Sequence, residues 1–447
     1  MRSIAQIVAQ LKQSWTAELL PDAIEKACRD AGMTWCRSLL NPVTTIQIFV
    51  LQILHGNTAC EHLSHLAKLS FTASAYCQAR AKIKLEVLST LLARCSAQLQ
   101  QETFDTARWL GHRVFHLDGS SFSMPDTTEL QSYFGQPGAQ KAGCGFPVAH
   151  WLVQTHAATG MILNMLAAPL RTHDMANAAR LHPGLRDNDL LVADRGFCSF
   201  AHLALLFQRN VHGLLRIHQR TIVDFTPGRA HVMPGHDQKR KHKGLPRSRW
   251  IEGLGKTDQI VEWFKPTNKP TWMSAEQYAS LPASIVVREL RYTIQQKGFR
   301  SDTITLATTL LDAERYPVAE LAEQFRQRWE IETNFGHLKT TMKMNVLKCK
   351  TVDGVLRELQ VFALVYNMVR QVVLEASHCQ RVDVRRISFI DALRWLQTAQ
   401  LGYDLPKLAV NPHRPNRLEP RVVKRRPKSY DLMTKPRRQL QKELNGK

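Results

Sequence analysis

Fifteen residues, FRQRWEIETNFGHLK (325–339), admit few structural readings. Pro317 lies ahead of them, and proline fits the first turn of a helix but not its interior. At about 100° per residue, Phe325, Arg328, Glu332 and Lys339 fall within about 60° of one another, on one stripe about four turns long. Ile331, Phe335, Leu338 and Met342 form an apolar stripe beside it. The spacing predicts one helix, anchored on a core by the apolar stripe, with Arg, Glu and Lys along an edge. A carboxylate able to bind metal then stands between two cations suited to phosphate. Taken alone, the stretch is more simply a solvated Arg328–Glu332 pair at i, i+4, a common and weak interaction.

Upstream sequence changes that balance. HRVFHLDGSSF reads as a short apolar strand ending in Asp118 and Gly119. FPVAHWLVQTHAATGMILNMLAAPL reads as two strands joined at Ala158–Thr159–Gly160. THDMANAARLHPGL follows as a helix, and LLVADRGF as a strand ending in Asp194, ahead of Arg195 and Gly196. FAHLALLFQR is then a helix and VHGLLRI a strand. This order is mixed α/β, with Asp118 and Asp194 at the carboxyl ends of the first and fourth strands. If those strands are neighbours, the two carboxylates converge.

The chain has 447 residues and a formal net charge of +22, which favours a polyanionic partner, nucleic acid before anionic membrane. Its 9 cysteines form no CxxC and no zinc-like spacing, as expected of reduced thiols in a cytoplasmic protein. MRSIAQIVAQLKQSW lacks the apolar region of a signal peptide, and no window approaches the ~18 apolar residues of a membrane span.

Residues 1–105 read as helical, from IAQIVAQL through VTTIQIFVLQILHG to VLSTLLARCSAQL. Lys68, Arg80 and Lys82 among small residues suit a DNA-binding domain or a plain bundle equally. Residues 106–217 hold the first part of an α/β core, and 218–300 a β-rich insertion with IVVRELRYTI and the basic run QKRKHKGLPRSRW (238–250). The core resumes over 301–345 with TITLATTLL and the Glu332 helix. A helical region follows over 346–406. The tail, 407–447, carries 13 Lys+Arg against 3 Asp+Glu and reads as extended or disordered until bound.

Asp118, Asp194 and Glu332 together make an oxygen-rich set suited to hard divalent cations. Two such ions about 3.5–4 Å apart can activate a water and stabilise the leaving oxygen of an in-line phosphoryl transfer. Alone, Asp118 is a turn aspartate before glycine and Asp194 a partner for Arg195. All three in this order are far less expected by chance.

With these motifs the sequence resembles the DDE transposases of bacterial insertion sequences, specifically the insertion-sequence-4 family. That family's pattern is Tyr-x(2)-Arg-x(3)-Glu-x(6)-Lys, and F-RQ-R-WEI-E-TNFGHL-K matches three of its four positions. HLDGSSFSMPD and VADRGF look like its two Asp motifs. The resemblance extends over most of the chain, including HGNTACEHLSHLA, AYCQARAKI and EPRVVKRRPKSY.

The resemblance implies a ribonuclease-H-like catalytic core with the β-rich insertion before the Glu helix. It implies two Mg²⁺ (or Mn²⁺) ions held by Asp118, Asp194 and Glu332, and phosphates of the element end held by Arg328 and Lys339. Phe325 occupies the tyrosine position of that phosphate-binding set, keeping the ring and losing one hydroxyl contact. Trp250, Trp263 and Trp272 in the insertion are candidates to stack on a flipped base. The expected protein is a bacterial cut-and-paste transposase, cytoplasmic and nucleoid-associated. It would bind double-stranded DNA, both terminal inverted repeats and target, as a synaptic homodimer. The alternatives are a metal-dependent nuclease on the same core that does not join strands, and a catalytically inactive, transposase-derived DNA-binding protein.

Overall fold

Nine strands form one sheet, in the order β3-β2-β1-β4-β5-β9-β8-β7-β6. They are β1 (Val114–Ser123), β2 (Val148–His156), β3 (Ile162–Pro169), β4 (Leu190–Ala193), β5 (His212–Arg216), β6 (Ser248–Gly255), β7 (Asp258–Phe264), β8 (Ser284–Ile294) and β9 (Asp302–Thr308). The computed structural model describes residues 20–99, 107–138, 140–170, 172, 174–235, 244–294, 302–398, 405–412 and 433–446. IAQIVAQL, the start of the basic run (238–243) and PRVVKRRPKSY lie outside the described residues.

Strands β1, β4 and β5 are parallel; every other pairing is antiparallel. The central strand LLVA is buried at all four positions, as expected of a parallel strand covered on both faces. Alternation sorts the two faces. Phe115, Leu117, Leu191 and Ala193 enter the large core, whereas Val114, Leu190 and Val192 enter a smaller cluster with Leu214. A buried ion pair pins the start of the parallel ladder. Arg113 donates to both carboxylate oxygens of Asp189, at 2.7 and 2.6 Å, just before β1 and β4.

Strand β1 runs on to Ser123 and does not end at Asp118–Gly119. Its antiparallel partner β2 carries the pairing through Asp118↔Val153 to Ser123↔Val148. Alternation along HLDGSSFS still suits a strand, because Phe122 buries against Trp151, 5.6 Å between ring centroids. The β-rich insertion adds to the core sheet: β9 pairs with both β5 and β8, so β6–β8 extend it edgewise.

Helices α1 (Pro21–Asp30), α2 (Pro42–Leu54), α3 (Leu63–Ala67), α4 (Ala73–Ala81) and α5 (Leu85–Leu99) make up the described N-terminal part. Proline opens α1 and α2, where its missing N–H is harmless, and Asn41 and Thr72 cap α2 and α4. These helices share the large core with the sheet. In chain order there follow α6 (Thr128–Phe134), α7 (Asp174–Leu181), α8 (Phe200–Phe207), α9 (Ala275–Ser280), α10 (Val318–Gln327), α11 (Glu330–Gly336), α12 (Val352–Gln380), α13 (Phe389–Thr398) and α14 (Arg437–Leu444). The 29-residue α12 is the large core's axis. Its Asn367 mimics a strand neighbour to Ile162, donating to the carbonyl and accepting from the N–H at 2.8 Å each. Its Arg370 donates to Thr159 O and packs against Gly160, which has φ +67° and no room for a Cβ. The tail expectation is corrected over 437–444, where Arg437 on Asp126 and over the Phe146 ring docks α14 as a helix.

None of the nine cysteines forms a disulfide, and no helix among the described residues is long and apolar enough to cross a membrane.

The buried pair His182–His202 makes the fold sensitive to acid. Their Nε2 atoms lie 2.8 Å apart, and His202 Nδ1 lies 2.6 Å from the Phe197 carbonyl. That carbonyl can only accept, so His202 carries its proton on Nδ1 and accepts from His182. A second proton on His202 would oppose two N–H groups. Burial pushes His202 down to about 4 and His182 to about 2. A histidine depressed on folding contributes stability above about 6.5, and loses it as pH falls toward the folded value. The unfolding free energy should therefore drop by on the order of 1–2 kcal/mol per buried histidine between pH 7 and 5. Denaturant midpoints across that range check it. His202→Gln should flatten the slope; an unchanged slope contradicts it.

Candidate active site

Strand register brings the two aspartates together. The last parallel pair of β1 and β4 is Leu117↔Ala193, and each strand's next residue is an aspartate. Asp194 keeps extended geometry, φ −77° and ψ 175°, before the turn Arg195–Phe197. Both side chains therefore leave the sheet opposite Leu117 and Ala193, on neighbouring strands about 4.8 Å apart. On β5, Ala193 pairs with Leu215, which sets Arg216 level with Asp194.

Helices α10 and α11 cover this face. Leu321 and Phe325 of α10 enter the smaller cluster with Val114 and Val192. Farther along, Trp151 meets Phe335 of α11, 6.3 Å between centroids.

The expected single helix over Phe325–Lys339 is corrected here. Its hydrogen bonds tighten at the centre, with Ile331 N on Arg328 O and Glu332 N on Trp329 O, three residues back. A π-helical turn follows at His337–Thr341. Neither has 3.6 residues per turn, so the outward stripe dissolves. Phe325 is 1% exposed, and its ring lies under Arg328, 5.6 Å from the guanidinium carbon. It is a floor within the core and does not reach a surface where it could meet phosphate. Arg328 is itself buried and turned toward the acids, Glu332 is exposed, and Lys339 is half-buried. Lys339 Nζ lies 5.2 Å from the centre of the Phe122 ring, on Asp118's own strand.

Arg328 Nη1 lies 3.3 Å from Asp118 Oδ2, and Nη2 lies 3.6 Å from Glu332 Oε1. Asp118 Oδ1 accepts from Gly119 N at 2.8 Å. Burial raises the Asp118 carboxyl above its usual range; Gly119 N–H and Arg328 pull it back, while the charges of Asp194 and Glu332 push it up. Below Asp118 on the same face, His116 is kept neutral by burial and by Arg328, down to about 3. Gly119 has a steric role: a Cβ there would stand 2.6 Å from His150 Nε2 of β2.

Among the described residues no three acidic, imidazole or thiol groups cluster at metal-binding spacing. Arg328 lies between Asp118 and Glu332 instead. The donor set nonetheless suits a hard cation, because Asp194 Oδ1 is buried with no hydrogen-bond partner.

Sequence reasoning missed several neighbours. Arg195 pairs with Gln219 (2.9 Å), not with Asp194. With Arg216 and Arg291 it lines a cavity of about 140 Å³. The basic composition carried that signal, but not the positions. Of the insertion's tryptophans, Trp263 donates to Glu289 (2.8 Å), Trp272 packs on the large core, and the Trp250 indole N–H is buried. The exposed tryptophan among the described residues is Trp329, at 56%.

The arrangement is two carboxylates level on neighbouring parallel strands of a mixed sheet, with a buried guanidinium between one of them and a third. A family profile described as "Transposase DDE domain" matches residues 109–368, and the chain belongs to that family, enzymes that act on DNA and use divalent metal ions. It is 26% identical over 381 residues to "Transposase InsG for insertion sequence element IS4" of Escherichia coli (strain K12), across 81% of this chain and 78% of that one. A "Putative transposase InsZ" of the same organism is 28% identical over 145 residues, 32% of this chain and 48% of its own. Among solved structures, a piggyBac transposase synaptic complex with hairpin DNA aligns over 88% of this chain and 77% of its own, at 10% identity and a TM-score of 0.42.

Phe325→Ala should remove the floor under Arg328 and lower stability by about 3–5 kcal/mol, while Phe325→Leu should lose much less. Equilibrium denaturation of both variants checks this. A loss under about 1 kcal/mol for the alanine variant would place the ring at the surface.

Proposed function

We propose that Asp118, Asp194 and Glu332 hold two Mg²⁺ (or Mn²⁺) ions, with which this chain cuts and joins DNA in cut-and-paste transposition of its own insertion sequence. The observation that carries the proposal is the shared level of Asp118 and Asp194 on parallel β1 and β4, with Arg328 joining Asp118 to Glu332. When bound, such ions activate a water or a 3′-hydroxyl and neutralise the phosphodiester. The residues' own tasks are separate. Gly119 N–H orients one Asp118 oxygen, and the orphaned Asp194 Oδ1 remains available. Glu332, with its side chain 48% exposed, closes the set from the solvent side. Arg328 and Lys339 supply positive charge for the phosphates of the element end, with Arg195 and Arg216 beside them.

The order β3-β2-β1-β4-β5, with β2 and β3 antiparallel and β1, β4 and β5 parallel, supports a ribonuclease-H-like core. In this assignment residues 106–217 and 301–345 form that core, and 218–300 interrupt it. Residues 1–105 supply helical DNA contacts, 346–406 support the core, and 407–447 add a basic arm. The net charge of +22 supports binding to double-stranded element ends and target DNA, as a synaptic homodimer at the bacterial nucleoid.

A duplex copied from the DNA flanking its gene, incubated with the protein and Mg²⁺, tests the proposal on a gel. Wild type should yield cut and joined products. Asp118→Asn, Asp194→Asn and Glu332→Gln should each yield neither while still shifting the duplex. Near-wild-type cleavage by any variant removes that residue from the site. Cutting without joining makes the chain a nuclease, and a shift with neither product makes it a binding protein.

A further inference from the structure

Arg328 is poorly served where it sits. Its side chain is 5% exposed, yet neither carboxylate contact is a close forked one. A guanidinium gripping one carboxylate makes two parallel bonds near 2.7–2.9 Å. Here one nitrogen reaches Asp118 at 3.3 Å, another reaches Glu332 at 3.6 Å, and the buried Nε has no partner. The chain builds proper forks elsewhere, as Arg113 on Asp189 and Arg288 on Asp258 demonstrate. Arg328 is thus shared between two acids that belong to different elements. The phenyl ring below and the Trp329 ring, 5.8 Å away, leave it few alternatives.

Charge explains why it is held there. Asp118 and Asp194 stand level on neighbouring parallel strands, and Arg328 reaches Glu332 as well as Asp118. Carboxylates gathered in this way need a cation between them. The guanidinium is the cation at hand. It lies between Asp118 and Glu332, where an ion bound by both would have to go, and leaves Asp194 Oδ1 unsatisfied.

We propose that in the DNA-free protein Arg328 stands in for the divalent ion between Asp118 and Glu332, and that a DNA phosphate draws it away, so that metal loading follows DNA binding. This rests on the assignment of the three acids as metal ligands. A phosphate offers the guanidinium the forked pairing it lacks. Glu332 and Trp329 are exposed, so the phosphate has a route to it from solvent. Two consequences are obligatory. Metal affinity of the free protein is lowered by the fraction of molecules with Arg328 inside. DNA and metal must strengthen each other's binding by the same factor.

Mn²⁺ titration of the full chain, followed by loss of the free-ion electron paramagnetic resonance signal, reads this without any cleavage. Free wild type should bind Mn²⁺ weakly, and Arg328→Ala at least about tenfold more tightly. Arg328→Gln, which keeps most of the volume, should behave like the alanine variant; circular dichroism melts establish that both are folded. Adding a duplex copied from the DNA flanking the gene should tighten Mn²⁺ binding in wild type and much less in either variant. Asp194→Asn separates the two ideas. If duplex-bound wild type loses no Mn²⁺ affinity on this substitution, the acids are not the ligands. If affinity does depend on Asp194, yet free Arg328→Ala and Arg328→Gln bind Mn²⁺ no better than wild type, the stand-in role is wrong and the acid site remains.

Discussion

The pairing of Leu117 with Ala193 sets everything that follows at the site. A strand's side chains alternate with a period of two, so a one-residue slip would send one aspartate to the opposite face. The register is held from both sides of that pair. Before it, the buried Arg113–Asp189 fork ties the two strand starts together, and Leu190 N donates to Arg113 O. Beside it, LLVA is closed in by hydrophobic contacts on both faces. A buried fork of this kind is weak evidence of stability but suits a part that must not slip.

The acids sit where the parallel ladder stops, and the stop has two different causes. Strand β4 ends because Asp194 leads into a tight turn. Strand β1 goes on, supported by β2, with Gly119 making room for His150. One carboxylate is therefore fixed within a continuous strand, and the other stands at the edge of a turn. The third comes from a helix whose geometry departs from 3.6 residues per turn on both sides of it. That departure turns Arg328 inward to meet Asp118 while Glu332 stays exposed. The site is thus electrostatically strained but held by packing: cluster residues beneath, α11 above, and charge compensation from a single arginine.

Much of this was legible in the sequence. Strands β2–β5, β8 and β9, the helix after Pro317 and the turn at Ala158–Gly160 follow from local pattern and spacing. What was not legible depends on partners distant in sequence. The continuation of β1 past Asp118 depends on β2, about thirty residues away along a strand ladder that local alternation cannot register. The joining of β6–β8 to the core sheet depends on β9. The burial of Phe325 and Arg328 could not be read from an azimuth that assumes a constant helix. Arg195, which follows Asp194 directly, turned instead to Gln219. Residue types announced the chemistry; the surrounding contacts decided which of them face it.

The central claim is that Asp118, Asp194 and Glu332 close on shared metal. Metal-directed backbone cleavage tests it most directly. Fe²⁺ replaces Mg²⁺ in the DNA-bound protein, and peroxide with ascorbate generates radicals that cut the chain beside the ion. The account predicts three cut sites, near residues 118, 194 and 332, all abolished together by excess Mg²⁺. Cleavage elsewhere, or a pattern that lacks one of the three, would contradict it.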